Sequence, residues 1–336
     1  MTINIAIIGV GRWGVHLLRN FLKHPLAVVV AIADTSTARL DYCQQHFALS
    51  STQLYTNWQD IRLNSNIDAV VVATPASSHY ELIKDALTLG YHVLAEKPLT
   101  LDPSQCRELT QLAQKQQKQL LVDHTYLYHG AIATGKQTLD TGKLGKIIYG
   151  YASRTHLGPV RQDVDVLWDL AIHDLAIFNY WLGETPTQVQ AQVKTWLQPQ
   201  LPDLSYLTLT YPSGVQALIH LCWLNPDKQR RLSLVGTQGC LIFDEILPQP
   251  LVLQKGYLES VDHRFIPTGV STEVIEVEKV EPLQQVCDRF LDKINCHHID
   301  SESANLATQL VTILTCLSLS WQNDGQIVTV PDYFFS

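Results

Sequence analysis

The sequence predicts an α/β protein of two domains: a doubly wound parallel sheet at the N-terminus, then an α+β domain on a large open, mostly antiparallel sheet. The chain of 336 residues is longer than one ordinary hydrophobic core supports. Short β-branched runs alternate with amphipathic segments at first, whereas the region after about residue 187 reads as consecutive strands joined by Pro/Gly turns. We therefore predict domains over residues 1–123 and 124–336.

The first domain contains five apolar runs that we predict to be strands, with helix-like segments between them. Their near-continuous hydrophobicity is typical of strands that are buried on both faces. The strands are INIAIIGV, LAVVVAIAD, IDAVVVATP, YHVLAEKP and KQLLVDH. The helices are GVHLLRNFLKH, STARLDYCQQHF, SSHYELIKDALTLG and LDPSQCRELTQLAQKQQ, with Gly90 and Asp102-Pro103 marking helix ends.

The pattern changes near residue 124, where the second domain begins. A helix is predicted over about 128–141, the strand IIYGYASRTHL follows, and another helix covers 167–182. The later strands, TQVQAQVKTWL, SYLTLTY, GVQALIHLCWL, RRLSLVG and GCLIFDE, predict an antiparallel sheet, and helices near 282–295 and 302–322 complete the domain. Because an exposed apolar sheet face normally marks an interface, we expect a homodimer or homotetramer.

Composition argues against several classes of partner. With 46% hydrophobic residues, a net charge of −8 and no long run of Lys or Arg, the chain offers no basic face for nucleic acid or anionic lipid. Its seven cysteines show no CxxC spacing, and His297-His298 lacks further ligands, so neither disulfides nor a metal site are expected. The N-terminus does not resemble a signal peptide, and no later apolar stretch is expected to reach the ~18 residues of a membrane span. We expect a cytoplasmic protein.

A G-x-G-x-x-G motif follows the first predicted strand. Its glycines allow a tight turn, close approach of a pyrophosphate and helix packing, while amides at the helix start hold the anion. Asp34 ends the second strand, where its carboxylate can bind the adenosine ribose and repel a 2′-phosphate. The motif predicts a Rossmann domain that binds NAD rather than NADP through Gly9, Val10, Gly11, Arg12, Trp13, Gly14 and Asp34. A glycine turn without a ligand is the alternative, and Arg39 is expected on the exposed face of the next helix.

Two further strand ends, in ATPASSH and AEKP, lie at the carboxyl edge where doubly wound sheets bind ligands. We expect Thr74, Pro75 and His79 to line the nicotinamide ribose. For His79, a surface position at a helix N-terminus is an equally weighted alternative.

The segment LWDLAIHDLAIF, residues 167–178, is apolar except for Asp169, His173 and Asp174. Buried charge is costly unless it is paired or used. Asp169 lies one helical turn before His173, so both side chains are expected on one face, where the carboxylate can orient the imidazole. Asp174 lies about 100° round the helix and is expected to pair with a cation or cap a backbone group. A satisfied core histidine is the alternative for His173.

Five features together resemble the Gfo/Idh/MocA family of NAD(P)-dependent oxidoreductases over essentially the whole chain. They are G-x-G-x-x-G, Asp34, Glu96-Lys97-Pro98, the phrase GKLGKIIYGYASRTHLG and Asp169-x-x-x-His173. This resemblance implies hydride transfer between a sugar or polyol hydroxyl and nicotinamide. It also implies that His173 is the base, that Asp169 orients it, and that Lys97, with Glu96 at the cofactor, binds the reacting hydroxyl.

The substrate is less sharply indicated. Many relatives carry GG-x-L-x-D-x-G-x-H, whereas VRQDVDVLWDLAIHDL lacks those glycines and looks more like the subgroup acting on nucleotide-linked amino sugars. A diphosphate or uronate is expected to contact Arg154, Arg161 and Gln162, with surface salt bridges as the alternative for the arginines. Candidate cleft-lining residues are His124, Tyr126 and Tyr128.

Two other functions remain open for such a chain. One is a glycosidase that uses bound NAD transiently and releases no NADH. The other is a regulatory sensor that binds a dinucleotide and a protein partner without turnover. The joint presence of Lys97, Asp169 and His173 favours catalysis over the sensor.

Overall fold

The computed structural model describes residues 1–47, 49, 52–64 and 66–331. The chain divides into two compact units, Met1–Thr125 with Glu281–Val311, and Tyr126–Val280 with Thr312–Ser336. The domain limits 1–123 and 124–336 stay a prediction. They assign Glu281–Val311 to the second domain, whereas this segment clusters with the first unit.

The first unit is built on a six-stranded parallel sheet with strand order β3-β2-β1-β4-β5-β6. This is the order of a doubly wound Rossmann sheet, as predicted. All residues of β4 and β6 are buried, because both faces of these strands are covered. The strands are β1 (Ile3–Ile8), β2 (Ala27–Ala33), β3 (Gln53–Tyr55), β4 (Ala69–Val72), β5 (His92–Glu96) and β6 (Leu120–Asp123).

Strand β3 is the element of this sheet that the sequence analysis missed. It has three residues, and none of them is buried, so it lacks the apolar run that marked the other five. Its pairing with β2 through Ala31–Ala33 is what defines it as a strand. Pairing of this kind is a property of the folded sheet and leaves no pattern in so short a segment.

Helices of the first unit follow the predicted segments. They are α1 (Gly14–Lys23), α2 (Thr37–His46), α3 (His79–Thr88), α4 (Pro103–Lys115) and the later α7 (Pro282–Asn295). The start of α4 shows why the prediction worked, because the Asp102 side chain accepts a hydrogen bond from Ser104 N and Pro103 occupies the first helical turn.

The second unit contains a nine-stranded sheet with the order β14-β13-β12-β11-β7-β10-β9-β8-β15. Its pairs are antiparallel except β7 with β10, which confirms the prediction of a mostly antiparallel sheet. The strands are β7 (Ile147–Leu157), β8 (Gln188–Lys194), β9 (Leu204–Thr210), β10 (Gln216–Cys222), β11 (Leu224–Gly236), β12 (Gly239–Asp244), β13 (Leu251–Val261), β14 (Arg264–Val274) and β15 (Val328–Thr329).

Two helices, α5 (Gly130–Asp140) and α6 (Ile172–Leu182), complete the core of this unit. A π-helical turn, Leu167–Ala171, runs directly into α6. Helix α6 is buried on most sides, and Trp181 on it donates a hydrogen bond to Ile132 O of α5. This packing fixes α6, which carries His173 near its start, while Asp169 lies in the π-helical turn before it.

Helix α8 (Glu302–Gln322) is long and apolar enough to cross a membrane by length and composition. The expectation that no stretch reaches this length is therefore wrong on those two criteria. However, 61% of its apolar window is buried inside the protein, as in a core helix of a globular domain. The division between the two units falls within this helix, after Val311.

Candidate active site

The glycine motif forms the turn between β1 and α1, and two of its glycines are required by the protein itself. Gly9 has φ +88°, and a Cβ there would lie 2.7 Å from Ala73 O. A Cβ on Gly14 would overlap the carbonyl oxygen of Gly9. By contrast, a Cβ at Gly11 would meet no described atom within 4 Å. Since packing does not explain Gly11, its position suits the close approach of a pyrophosphate.

Asp34 ties the end of β2 to this loop. Its Oδ2 accepts a hydrogen bond from Val10 N at 2.8 Å, and its Oδ1 accepts one from Ser36 N at 2.8 Å. Each oxygen retains a second lone pair, so the fixed carboxylate can still accept from ribose hydroxyls. Arg39 is exposed on α2, as predicted, and the loop residues Arg12 and Trp13 are also exposed. The residues present therefore fit a dinucleotide.

We predict that Gly11→Val abolishes detectable NAD binding while leaving stability almost unchanged. The branched side chain would fill the space that a pyrophosphate needs, while its Cβ would have no protein atom within 4 Å beyond the neighbouring residues of the chain. Isothermal titration calorimetry with NAD and a thermal unfolding curve measure the two effects. Gly14→Ala is the matched comparison, which should lower the unfolding temperature because of the overlap with Gly9. Unimpaired NAD binding by Gly11→Val would contradict the assignment of this loop.

His79 is not placed as predicted. Only 1% of it is exposed, and its ring nitrogens lie 2.8 Å from Thr74 O and 2.9 Å from Pro98 O. This corrects both alternatives, since the ring is neither on the surface nor left with a nitrogen for the ribose. It instead links the segment after β4 to the segment after β5. Thr74 is half-buried and accepts from Ser78 Oγ, while Pro75 is exposed.

The ends of β5 and β6 bring several ionisable groups together in the first unit. Glu96 is paired in register with Asp123, Lys97 follows Glu96, and His124 follows Asp123. Burial raises the pKa of Asp123 to about 6, although the Lys97 ammonium opposes this change. Burial and the same ammonium lower the pKa of His124 to about 4, which keeps its ring neutral. Asp123 was missed by the sequence analysis, although its place at the end of a buried strand was a usable signal.

His124, a predicted substrate contact, is 4% exposed. Its Nε2 atom has no hydrogen-bond partner among the residues that the structure describes. A buried polar atom without a partner is unusual in proteins, so the geometry is compatible with a ligand group at this ring.

In the second unit, the π-helical turn holds Asp169 and leads to His173, and both side chains are half-buried. Asp169 Oδ2 accepts from Trp223 Nε1 at 3.3 Å, and its Oδ1 lies 3.4 Å from Arg161 Nη1. π-Helical turns are rare and frequently occur at functional sites. Asp165 supports this turn, because its Oδ1 accepts from Trp168 N. Sequence reasoning missed Trp223 and Asp165, since neither shares a motif with Asp169.

Asp174 pairs with a cation, as the sequence analysis expected. The cation is Arg154, and its Nε and Nη2 atoms donate to both carboxylate oxygens at 2.9 and 2.8 Å. Arg154 is 2% exposed and Asp174 is 1% exposed. The prediction that Arg154 contacts a substrate phosphate or carboxylate is therefore corrected, and its surface alternative is also wrong, because the pair is buried.

The remaining predicted substrate contacts are more accessible. Arg161 is half-buried and forms an ion pair with Asp163 at 2.5 Å, and Gln162 is exposed. Tyr126 and Tyr128 are half-buried, and the Tyr126 ring lies 4.8 Å from the His173 ring.

His297 and His298 are exposed, and within the described residues no cluster of three potential ligands could hold a metal ion.

A glycine loop beside a carboxylate held by main-chain amides, and an Asp and a His spaced by one helical turn, are features found in dinucleotide-dependent oxidoreductases. Comparison with known proteins agrees. Residues 3–124 match the oxidoreductase family with an NAD-binding Rossmann fold, and residues 132–242 match the GFO/IDH/MocA C-terminal domain. The chain belongs to the Gfo/Idh/MocA family of oxidoreductases, and its cofactor is NAD or its close relative NADP.

Individual relatives are distant but cover most of the chain. UDP-N-acetylglucosamine 3-dehydrogenase of Acidithiobacillus ferrooxidans is 28% identical over 70% of this chain and 72% of its own length. The scyllo-inositol 2-dehydrogenase (NAD(+)) of Bacillus subtilis is 24% identical over 77% of this chain and 79% of its own. A solved oxidoreductase structure from Magnetospirillum magnetotacticum, described as putative, has a TM-score of 0.78 at 26% identity, covering 94% of this chain and 99% of that one.

Proposed function

We propose that the protein is an NAD-dependent dehydrogenase that oxidises a ring hydroxyl of a sugar, most favourably a nucleotide-linked sugar. The observation that carries this proposal is the Asp169-His173 pair, in which the carboxylate is held by Trp223 and Arg161 while the imidazole stays half-exposed. A fixed acceptor one helical turn from a histidine is the arrangement that a general base requires.

Each residue has a definite proposed task. His173 accepts the proton of the substrate hydroxyl, and Asp169 stabilises the imidazolium that forms. Lys97 donates a hydrogen bond to the same substrate oxygen, which steadies its developing negative charge. When bound, NAD supplies the hydride acceptor.

NAD is favoured over NADP by Asp34. Its carboxylate is fixed by two main-chain hydrogen bonds and lies where a 2′-phosphate would bring a second negative charge. Arg39, which could compensate such a phosphate, is exposed on α2. Saturation kinetics with each cofactor measure this preference, and equal kcat/KM values would contradict it.

A nucleotide-linked substrate is supported by two observations. The helix motif VRQDVDVLWDLAIHDL lacks the glycines that many members of the family carry, which disfavours a plain polyol. A relative that is 28% identical is named for the oxidation of UDP-N-acetylglucosamine at carbon 3. Arg154 is paired with Asp174 and Arg161 with Asp163, so neither arginine is proposed as the contact to the diphosphate.

The test is a panel of free sugars, polyols, uronates and UDP-linked sugars, assayed for net NADH formation. We expect turnover with a UDP-linked sugar and little with plain polyols. Substrate cleavage with tightly retained cofactor and no released NADH would indicate the NAD-assisted glycosidase. Absence of any turnover, with NAD binding intact, would instead support the regulatory sensor.

We also propose that the chain forms a homodimer or homotetramer through one face of the nine-stranded sheet. In β9 and β10 the residues alternate, so that Leu207 and Ile219 are buried while Tyr206 and Leu218 are about half exposed. Tyr149 on β7 belongs to the same face, since it pairs with Gln216, two residues before Leu218. Exposed apolar side chains on neighbouring strands favour association.

Leu218→Glu is expected to convert the oligomer to monomers, because the symmetry of a homodimer places the new charge in the interface twice. Sedimentation velocity at micromolar concentration measures this change. Leu63→Glu is the control, because Leu63 is 75% exposed and lies outside this sheet. A wild-type monomer under the same conditions would contradict the proposal.

A cytoplasmic location is proposed on the basis of the cysteines. All seven are free in the described chain, and five of them are buried. Buried thiols without disulfides suit a reducing compartment.

A further inference from the structure

Tyr126 connects His173 to a group of charged residues in the second unit, of which Arg154 and Asp174 are buried. Its ring centroid lies 4.8 Å from that of His173, with the two planes inclined by 54°. The guanidinium carbon of Arg154 lies 4.5 Å from the same tyrosine ring. One aromatic ring therefore contacts both the proposed base and a buried cation.

The hydroxyl of Tyr126 is fully engaged. It accepts a hydrogen bond from Arg154 Nη1 at 2.7 Å and donates its single proton to Glu245 Oε2 at 2.5 Å. Burial raises the pKa of Tyr126 to about 12, so the phenol stays protonated near neutral pH. Since its proton is committed to Glu245, the hydroxyl is unsuited to proton transfer. The ring is the part of Tyr126 that contacts His173.

Arg154 is held as firmly as the tyrosine that it contacts. It lies on β7, and its bidentate pair with Asp174 connects that strand to the first turn of α6. Asp174 directly follows His173 in the chain. A bidentate Arg-carboxylate pair has a specific geometry as well as strength. The Arg154–Asp174 pair therefore fixes the position of the helix backbone next to His173.

Glu245, on the other side of the hydroxyl, has a cation of its own. Its Oε2 lies 4.0 Å from Arg230 Nε, and Arg230 Nη2 lies 3.1 Å from His156 Nδ1. The charged groups along this series of contacts alternate in sign, and the neutral hydroxyl of Tyr126 lies between Arg154 and Glu245. The series is Asp174, Arg154, Tyr126, Glu245 and Arg230. In this arrangement the buried charges of Arg154 and Asp174 compensate each other, and the tyrosine hydroxyl has one donor and one acceptor in fixed places.

We propose that Tyr126 is a positioning residue for His173, whose ring sets the orientation of the imidazole and whose hydroxyl is clamped by Arg154 and Glu245. This inference rests on the proposed function, because it takes His173 to be the base. It differs from the sequence prediction, in which Tyr126 and Arg154 contact the substrate directly. A positioning residue acts on the rate of the chemical step and leaves substrate affinity nearly constant.

The kinetic test compares Tyr126→Leu, which removes the ring, with Tyr126→Phe, which keeps the ring and removes the clamp. We expect kcat to fall about 100-fold in Tyr126→Leu, since misplacement of a reacting group by ~1 Å costs about 100-fold in rate. In Tyr126→Phe we expect a smaller fall, roughly tenfold, because the ring is kept. KM for the sugar should change by less than about threefold in both variants. Tyr126→Phe keeps the test decisive if Tyr126→Leu does not fold.

A spectroscopic readout that does not depend on turnover accompanies the kinetics. The His173 resonance is identified in ¹³C-histidine-labelled protein by its absence in His173→Ala. Its ring-current shift should be lost in Tyr126→Leu and largely kept in Tyr126→Phe. Tyr42→Leu is the matched control, because Tyr42 stacks on His46 at 4.1 Å on the exposed part of α2, and its loss should leave kcat unchanged.

The outcomes separate this inference from the proposed function. If His173→Ala lacks activity but both Tyr126 variants keep the wild-type kcat, the positioning role is overturned and the dehydrogenase stands. If the loss in the Tyr126 variants lies in KM, Tyr126 binds substrate and the inference is again wrong. If His173→Ala retains the wild-type kcat, His173 is not the base and the inference falls with that role, whereas the proposed function itself fails only if the wild type oxidises no sugar.

Discussion

Lys97→Ala is expected to lower kcat by about 10²- to 10³-fold while leaving NAD affinity nearly unchanged. Lys97 follows the last residue of β5 at the carboxyl edge of the parallel sheet, where its charge acts on Asp123 and His124. Removal of the ammonium deprives the substrate oxygen of its proposed donor as negative charge develops. Steady-state kinetics with the sugar identified in the panel and calorimetric titration with NAD measure the two quantities.

Lys115→Ala is the control for this variant, since Lys115 is an exposed lysine on α4 of the same unit. It should match the wild type in both measurements. Retention of more than about one tenth of the wild-type kcat by Lys97→Ala would be too small an effect for an oxyanion donor and would contradict the role.

His173→Ala should produce a loss of comparable or larger size, about 10²- to 10⁴-fold in kcat, because general-base catalysis contributes on that scale. The wild-type rate of oxidation should also fall as the pH is lowered, since a protonated imidazole cannot accept the substrate proton. In His173→Ala this acid limb should disappear, leaving a slower rate that follows the hydroxide concentration. Assays at pH values from about 5 to about 10 distinguish the pH profile of the wild type from that of His173→Ala.

The matched control is His298→Ala, which removes an exposed histidine distant in sequence from the Asp-His pair. Its pH profile should superimpose on that of the wild type. An acid limb that persists unchanged in His173→Ala would assign the proton transfer to another group, and the mechanism would then need a different base.

Much of the fold follows from patterns that are local in sequence. Continuous apolar runs such as β4 and β6 are buried on both faces, and the caps at Asp102-Pro103 show where α4 begins. Elements without such patterns were missed. Strand β3, which has no buried residue, is such an element, and the largely exposed β13 and β14 lay in the region predicted as consecutive strands but were not assigned individually.

The residues of the candidate site likewise fall into those that a local pattern identified and those that it did not. The glycine motif, Asp34, Lys97 and the Asp169-His173 spacing could be identified because each is a short motif or follows a strand end. The partners of these residues come from far along the chain. Trp223, which donates to Asp169, is 54 residues away from it.

The sequence by itself therefore determined the two sheets, the glycine loop and the residue types of the proposed catalytic pair, since these depend on hydrophobic period and local backbone geometry. Only the tertiary structure decided that Arg154 pairs with Asp174, that His79 is buried between two main-chain carbonyls, and that Tyr126 contacts His173. Strand register and helix packing bring these groups together, and pairing depends on distances between side chains that no spacing along the chain encodes.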